Sequence, residues 1–221
     1  YGNFQAVDHM AFDGLTNAYD GQPMGVFGED CVSKYGFSRE DQDAWAIQSV
    51  QRAQAAAASG AFADEIAPVT VASRKGEVQL SVDEQPGRSD IGKIPTLRPA
   101  FKKDGTITAA SSSSISDGAA ALVVMSADTA AAQGIAPLAR VVAHATHSQE
   151  PEWFTTAPIA AIESVLAKAG WNVADVDLFE INEAFAVVAM APVKQLGLDP
   201  ARVNVNGGAC ALGHPIGASG A

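Results

Sequence analysis

The chain has 221 residues, 48% hydrophobic and 18% charged, an ordinary composition for a globular protein of one or two domains with a sizeable core. Its formal net charge of −11, with no basic stripe, argues against nucleic-acid binding, and an anionic substrate would need basic groups gathered locally. No apolar run reaches the roughly eighteen residues that span a bilayer, and Tyr1 to Gln5 lacks the pattern of a signal peptide, so a cytoplasmic protein without a membrane partner is expected.

Phe4, Val7, Met10, Ala11 and Leu15 recur at helical spacing, which predicts a helix from Phe4 to about Tyr19, ended by Asp20-Gly21-Gln22-Pro23. Met24 opens a new segment. Ser38 with Asp41 three residues later predicts a capped helix that runs through an alanine-rich stretch to Ser59 and stops at Gly60. Val69 to Ala72 and Glu77 to Val82 alternate about Arg74-Lys75-Gly76 as a β-hairpin, with lysine poorly suited to a left-handed turn position. Residues 84–97, punctuated by Pro86, Gly87, Gly92 and Pro95, show no period and predict a loop long enough to suggest a function. The serine run Ser111 to Ser114 lies between apolar segments and predicts an ordered turn rather than a linker.

The second half alternates more regularly. Strands are predicted at Leu138 to Ala145, Val176 to Ile181 and Arg202 to Asn206, with helices at Ile159 to Ala169, closed by Gly170, and at Ala184 to Gln195. Such alternation implies an α/β fold with a mainly parallel sheet, whose sites form beyond the carboxyl ends of the strands. The chain lacks an initiator Met and stops at Ala221 where a helix should begin, so it reads as an internal piece of a longer protein. Cys31 and Cys210 are the only cysteines, too few and too far apart for a disulfide framework or a zinc cluster, and no metal site is expected.

Two stretches could carry chemistry. In Gly207-Gly208-Ala-Cys-Ala-Leu-Gly213-His214-Pro215-Ile-Gly217-Ala-Ser-Gly220-Ala221 a histidine follows a strand end inside a glycine-rich turn, and Pro215 suits the first turn of a following helix. A histidine there would be held neutral by the positive end of the helix dipole, able to accept a proton. It could equally be incidental to a strand-to-helix turn. The glycine spacing fits neither Gly-x-Gly-x-x-Gly nor a phosphate loop. The second stretch, Asn182-Glu183-Ala184-Phe185-Ala186, also follows a strand, and Asn182 could either cap the next helix or act in catalysis, with Glu183 favouring the positive helix end.

Both stretches resemble the histidine and asparagine motifs of the thiolases, the acetyl-CoA acetyltransferase and 3-ketoacyl-CoA thiolase family, in the same order. A third segment, Thr106-Ile-Thr-Ala through Ser113-Ile115 to Asp117-Gly118-Ala-Ala, resembles the family's lining of the coenzyme A pantetheine tunnel. The resemblance covers essentially the whole chain and implies a thiolase-like α/β fold: residues 1–125 as the loop domain with its junction, and 126–221 as the C-terminal mixed-sheet half, incomplete. It implies His214 and Asn182 as catalytic residues. His214 would help form the thiolate of an acyl-carrying cysteine and donate to the thioester oxygen as charge develops there, and Asn182 would hold a water that supplies a second donor. Ser113 falls on the family's coenzyme A serine, Leu15, Met24, Phe101, Ala109 and Ile115 on positions around the acyl-pantetheine, and Phe185 on the acyl pocket. Coenzyme A is implied as substrate or product with no permanently bound cofactor, and a homodimer or homotetramer as the assembly. Neither Cys31 nor Cys210 sits in the motif of the family's catalytic cysteines, so both read as packing thiols. Pro23 and Phe154-Thr-Thr-Ala-Pro158 depart from the patterns His-Met and Met-Gly-x-Gly-Pro, which leaves the acyl chain length open. A module of the same fold that binds coenzyme A without turnover is the alternative.

Overall fold

A computed structural model describes residues 1–221. Its first extended element after a short turn is α1 (Met24–Tyr35), followed by α2 (Arg39–Ser59). The predicted start of α2 is present as a capping box: Ser38 Oγ accepts the Asp41 N–H at 3.0 Å while the Asp41 carboxylate accepts the Ser38 N–H at 2.9 Å. Two backbone donors that have no helical partner are thereby satisfied. Gly60 closes the helix, as expected.

β1 (Val69–Ser73) and β2 (Gly76–Leu80) form the predicted antiparallel hairpin, with Val69 opposite Leu80. The positive φ of its turn falls on Gly76 (φ 114°) and not on Lys75, so the expected conflict does not arise. The stretch predicted as a loop at 84–97 contains a short helix, α3 (Gln85–Arg88), and a 3₁₀ turn at Ile91–Thr96. Arg39 ties this segment to α2, donating from Nε to Asp43 at 2.8 Å and from Nη2 to the carbonyl of Leu97 at 2.8 Å. The serine run is ordered: Ser111 is buried and Ser112 bridges to Phe185.

Beyond it come α4 (Ala127–Ala132), α5 (Ala157–Ala169), α6 (Ala186–Leu196) and α7 (Ala209–Leu212). The core centres on α6, whose residues Ala186 to Pro192 are all buried. One side of α6 packs with Cys31 and Val32 of α1, Ile107 and Phe185; the other, through Ala189, with Phe179, Ile181, Leu198 and Val203. At the start of α1, buried Gly25 lies so close under the Phe101 ring that an added Cβ would overlap it. Gly25→Ala is therefore expected to lower stability by about 1–3 kcal/mol, seen as a lower urea midpoint at unchanged slope.

Several predicted elements form only in part or not at all, and the first two fail for lack of a partner surface or strand. The predicted helix from Phe4 to Tyr19 is reduced to a single wide turn at Met10–Gly14, with Phe4, Val7 and Phe12 exposed. An amphipathic segment of this length is held mainly by packing, and its apolar face meets nothing here. Leu138 to Ala145 is no strand, with Leu138 and Val141 exposed, because no neighbouring strand takes its backbone N–H and C=O groups. The strands expected at Val176 to Ile181 and Arg202 to Asn206 meet only in one parallel bridge, Phe179 to Val203. Its hydrogen bonds, Phe179 N–H to Arg202 O at 2.8 Å and Asn204 N–H to Phe179 O at 2.9 Å, fix the two segments side by side. The helix expected after Pro215 is a single turn, in which Ser219 N–H donates to Pro215 O at 3.0 Å.

Candidate active site

The Phe179 to Val203 bridge places two chain segments in parallel, and each then delivers one polar side chain to the same edge. Asn182 lies three residues beyond Phe179. From Val203 the chain turns through Asn204, enters α7 and leaves it at Gly213, whose φ of 86° and contact with Ser116 Oγ leave no room for a side chain. His214 follows, its N–H donated to the Ser114 carbonyl at 3.1 Å. Asn182 Nδ2 and His214 Nε2 consequently stand 3.3 Å apart, as the sequence predicts for a shared site. The capping alternative for Asn182 is not what forms, since Phe185 occupies the N-cap position of α6.

Both ring nitrogens of His214 have a polar neighbour, Nε2 the Asn182 amide and Nδ1 the Ser219 hydroxyl. Ser219 Oγ lies 3.1 Å from the carbonyl of Pro215 and 2.7 Å from His214 Nδ1. If the hydroxyl donates to that carbonyl it accepts from Nδ1–H, and in that tautomer Nε2 keeps a lone pair that faces the Asn182 amide. Burial lowers the imidazole pKa below its ordinary 6.5. The neutral ring expected from the sequence is thus favoured, through loss of solvent around the imidazole.

The residues assigned to the acyl-pantetheine divide into two groups. Met24, Phe101 and Phe185 come together against the main core, with the rings of Phe101 and Phe185 edge to face at 5.6 Å. Leu15 joins them through its carbonyl, which accepts the Met24 N–H at 3.0 Å. Ser113 is half-buried beside Phe185, its Oγ donating to the carbonyl of Ala184 at 3.1 Å. Ala109, by contrast, lines a separate groove of about 360 Å³ together with Ser112, Ser114, Gln85 and Cys210, and Ile115 is 66% exposed. Arg88 and Lys93 border that groove, supplying local cations on an acidic chain, each already paired with a neighbouring carboxylate. A larger groove of about 420 Å³ between Phe37, Trp45 and Lys194 is lined by none of the site residues.

Cys31 is packed as expected, whereas Cys210 is half-buried, packing against the core and lining the groove of about 360 Å³. Cys31 is fully buried in the core and burial raises its pKa. The Cys210 thiol is pushed well above the ordinary range, first by burial and then by the neighbouring Glu183 charge.

Comparison with known proteins is consistent over the whole length. Residues 1–128 match the thiolase N-terminal domain and residues 135–221 the thiolase C-terminal domain. The chain belongs to the thiolase family. It is 49% identical over 221 residues to an acetyl-CoA acetyltransferase of Rhizobium meliloti, with all of the chain and 56% of the relative aligned. An acetyl-CoA acetyltransferase of Chromobacterium violaceum is 51% identical over 222 residues, covering 99% of the chain and 56% of the relative. The crystal structure of the Bacillus anthracis acetyl-CoA acetyltransferase superposes with a TM-score of 0.94 at 40% identity, over 99% of this chain and 56% of that one. A thiolase from Ascaris suum, solved in complex with coenzyme A, gives 0.90 at 42% identity, over 100% of this chain and 56% of that one. The thiolase chain described here thus spans about half the length of the relatives it matches. No helix in it is long and apolar enough to cross a membrane.

Sequence reasoning missed several residues of this thiolase site. Glu183, expected only to favour a helix end, is buried at 1% exposure and accepts four hydrogen bonds. Asn204 is the only non-glycine residue with positive φ (49°), a conformation for which asparagine is one of the few suitable residues. Ser219, which orients the histidine, lay within the quoted motif, five residues beyond His214, but a lone serine there carries no signal of its own.

Proposed function

We propose that a full-length thiolase carrying this chain transfers acyl groups between coenzyme A and a cysteine outside these 221 residues. Its reactions would be the condensation of two acetyl-CoA molecules and the thiolysis of acetoacetyl-CoA or a slightly longer 3-ketoacyl-CoA. The observation that carries the proposal is the 3.3 Å approach of Asn182 Nδ2 to His214 Nε2. Nε2 takes the proton of the nucleophilic thiol, and the thiolate attacks the carbonyl carbon. The protonated Nε2–H then donates to the thioester oxygen when negative charge builds there, and Asn182 holds a water that donates as well. Coenzyme A is consumed or released in turnover and is the only cofactor proposed. Cytoplasmic location, a role in fatty acid metabolism and a homodimeric or homotetrameric assembly belong to the same proposal, supported by family membership.

Thiolysis of acetoacetyl-CoA by the full-length protein tests the function, with acetyl-CoA as the measured product. Coenzyme A binding without product would replace it with a non-catalytic binding module. Within this proposal Ser113 contributes binding rather than rate, because a tunnel contact is made equally in the ground and transition states. Ser113→Ala is expected to raise KM for coenzyme A about two- to tenfold, the scale of one hydrogen bond, with kcat little changed. A fall in kcat with unchanged KM would assign Ser113 to the reacting centre instead.

A further inference from the structure

The asparagine that faces His214 is itself held from behind by a buried polar network. Asn204 Oδ1 accepts the N–H of Ile181 and its Nδ2 donates to the carbonyl of the same residue, both at 2.8 Å, so one side chain grips both backbone groups of the residue preceding Asn182. The residue following Asn182 is gripped as well. Glu183 Oε1 accepts from Asn204 Nδ2 at 2.8 Å and from Trp45 Nε1 at 2.9 Å, and Oε2 accepts from Ser49 Oγ at 2.7 Å and from the Cys210 N–H at 3.1 Å. Every partner is a donor, which suits a carboxylate acting only as an acceptor.

The network joins Glu183 to three parts of the chain that are far from it in sequence. Trp45 and Ser49 lie on α2, Cys210 on α7 just ahead of His214, and Asn204 at the bridged strand end. Ser49 Oγ also accepts the Gly208 N–H at 2.9 Å, and an added Cβ on Gly208 would overlap the Glu183 carboxyl group. No cation pairs with Glu183. A carboxylate buried among neutral donors, at the cost of its hydration, and an asparagine held at positive φ are features that a merely stable fold has little use for.

We propose that Glu183 and Asn204 are positioning residues, a buried clamp that sets the Asn182 amide against His214 by holding the Ile181 backbone before Asn182 and the Glu183 side chain after it. The inference rests on the catalytic role proposed for Asn182. If the clamp acts through Asn182, its effect must vanish once the Asn182 amide is gone.

The test is a double-mutant cycle on kcat for acetoacetyl-CoA thiolysis in a full-length thiolase carrying this chain. Glu183→Gln keeps the shape but replaces an acceptor by a donor that faces other donors. It is expected to lower kcat about tenfold, within the range for misplaced catalytic groups, and to leave KM for coenzyme A nearly unchanged. Added to Asn182→Ala, it is expected to lower kcat by less than about twofold. Ser49→Ala, which removes one donor from Glu183 and little volume, is expected to show the same pattern more weakly and decides the matter if Glu183→Gln does not fold. Equal effects of these variants with and without Asn182, or a change confined to KM or thermal stability, would overturn the clamp. If Asn182→Ala itself leaves kcat unchanged, the role of Asn182 in the proposed reaction fails, and the clamp with it.

Discussion

The 221 residues alone are expected to form no acetyl-CoA from acetoacetyl-CoA and coenzyme A above the rate in buffer. Acyl transfer through cysteine needs a thiolate that reaches solvent and substrate, with a pKa lowered by its surroundings. The chain holds two thiols, and both are shifted the wrong way. Cys31, on α1, is fully buried against α6, and the half-buried Cys210 thiol is raised by desolvation and by the negative charge of Glu183. The check is a discontinuous assay of product by mass spectrometry on the purified chain. Turnover that survives replacement of both cysteines by alanine would reject acyl-cysteine chemistry for this site. Turnover lost in that double variant would mean that one of these thiols is the nucleophile, and the roles assigned here would have to be exchanged.

In a full-length thiolase carrying this chain, His214→Ala is expected to lower kcat by roughly a hundredfold or more, the scale for losing a donor to a developing oxyanion. The variant loses two functions of one nitrogen, since Nε2 first takes the thiol proton and then returns it as a hydrogen bond. Asn182→Ala should act in the same direction but less, because a water can remain near the vacated place. The pH dependence follows from the direction of the shift. The imidazole pKa lies below 6.5, so the neutral base predominates at and above that pH, and kcat/KM should fall only on acidification below it. Stability has the same sign: between the folded and unfolded pKa values the unfolded chain binds more protons, so the contribution of this burial is present above about 6.5 and lost as pH falls. Near-normal kcat in a folded His214→Ala protein would leave the histidine as part of a glycine-rich turn and remove the centre of the proposed mechanism.

The sequence by itself determined this protein's family and its strongly signalled local elements. The helix cap at Ser38, the glycine-closed helices α2 and α5, and the helix α6 were legible because caps, helical periodicity and C-terminal glycines act within a few residues along the chain. The hairpin was legible from alternation, and the candidate pair Asn182 and His214 from two motifs long enough to be specific. Elements whose stability depends on distant partners were not. The predicted helix at Phe4 to Tyr19 and the strand at Leu138 to Ala145 have the right periodicity but no surface or strand to meet, and periodicity alone supplies neither packing nor hydrogen bonds. Only the tertiary structure decided that burial favours the neutral form of His214, that Ser219 stands 2.7 Å from its Nδ1, and that Glu183 is buried among donors from α2, α7 and Asn204. Those properties depend on which groups remain near a side chain once water is excluded, and Trp45 and Glu183, 138 residues apart in the chain, meet only after the fold has brought α2 against the edge of the bridged strands.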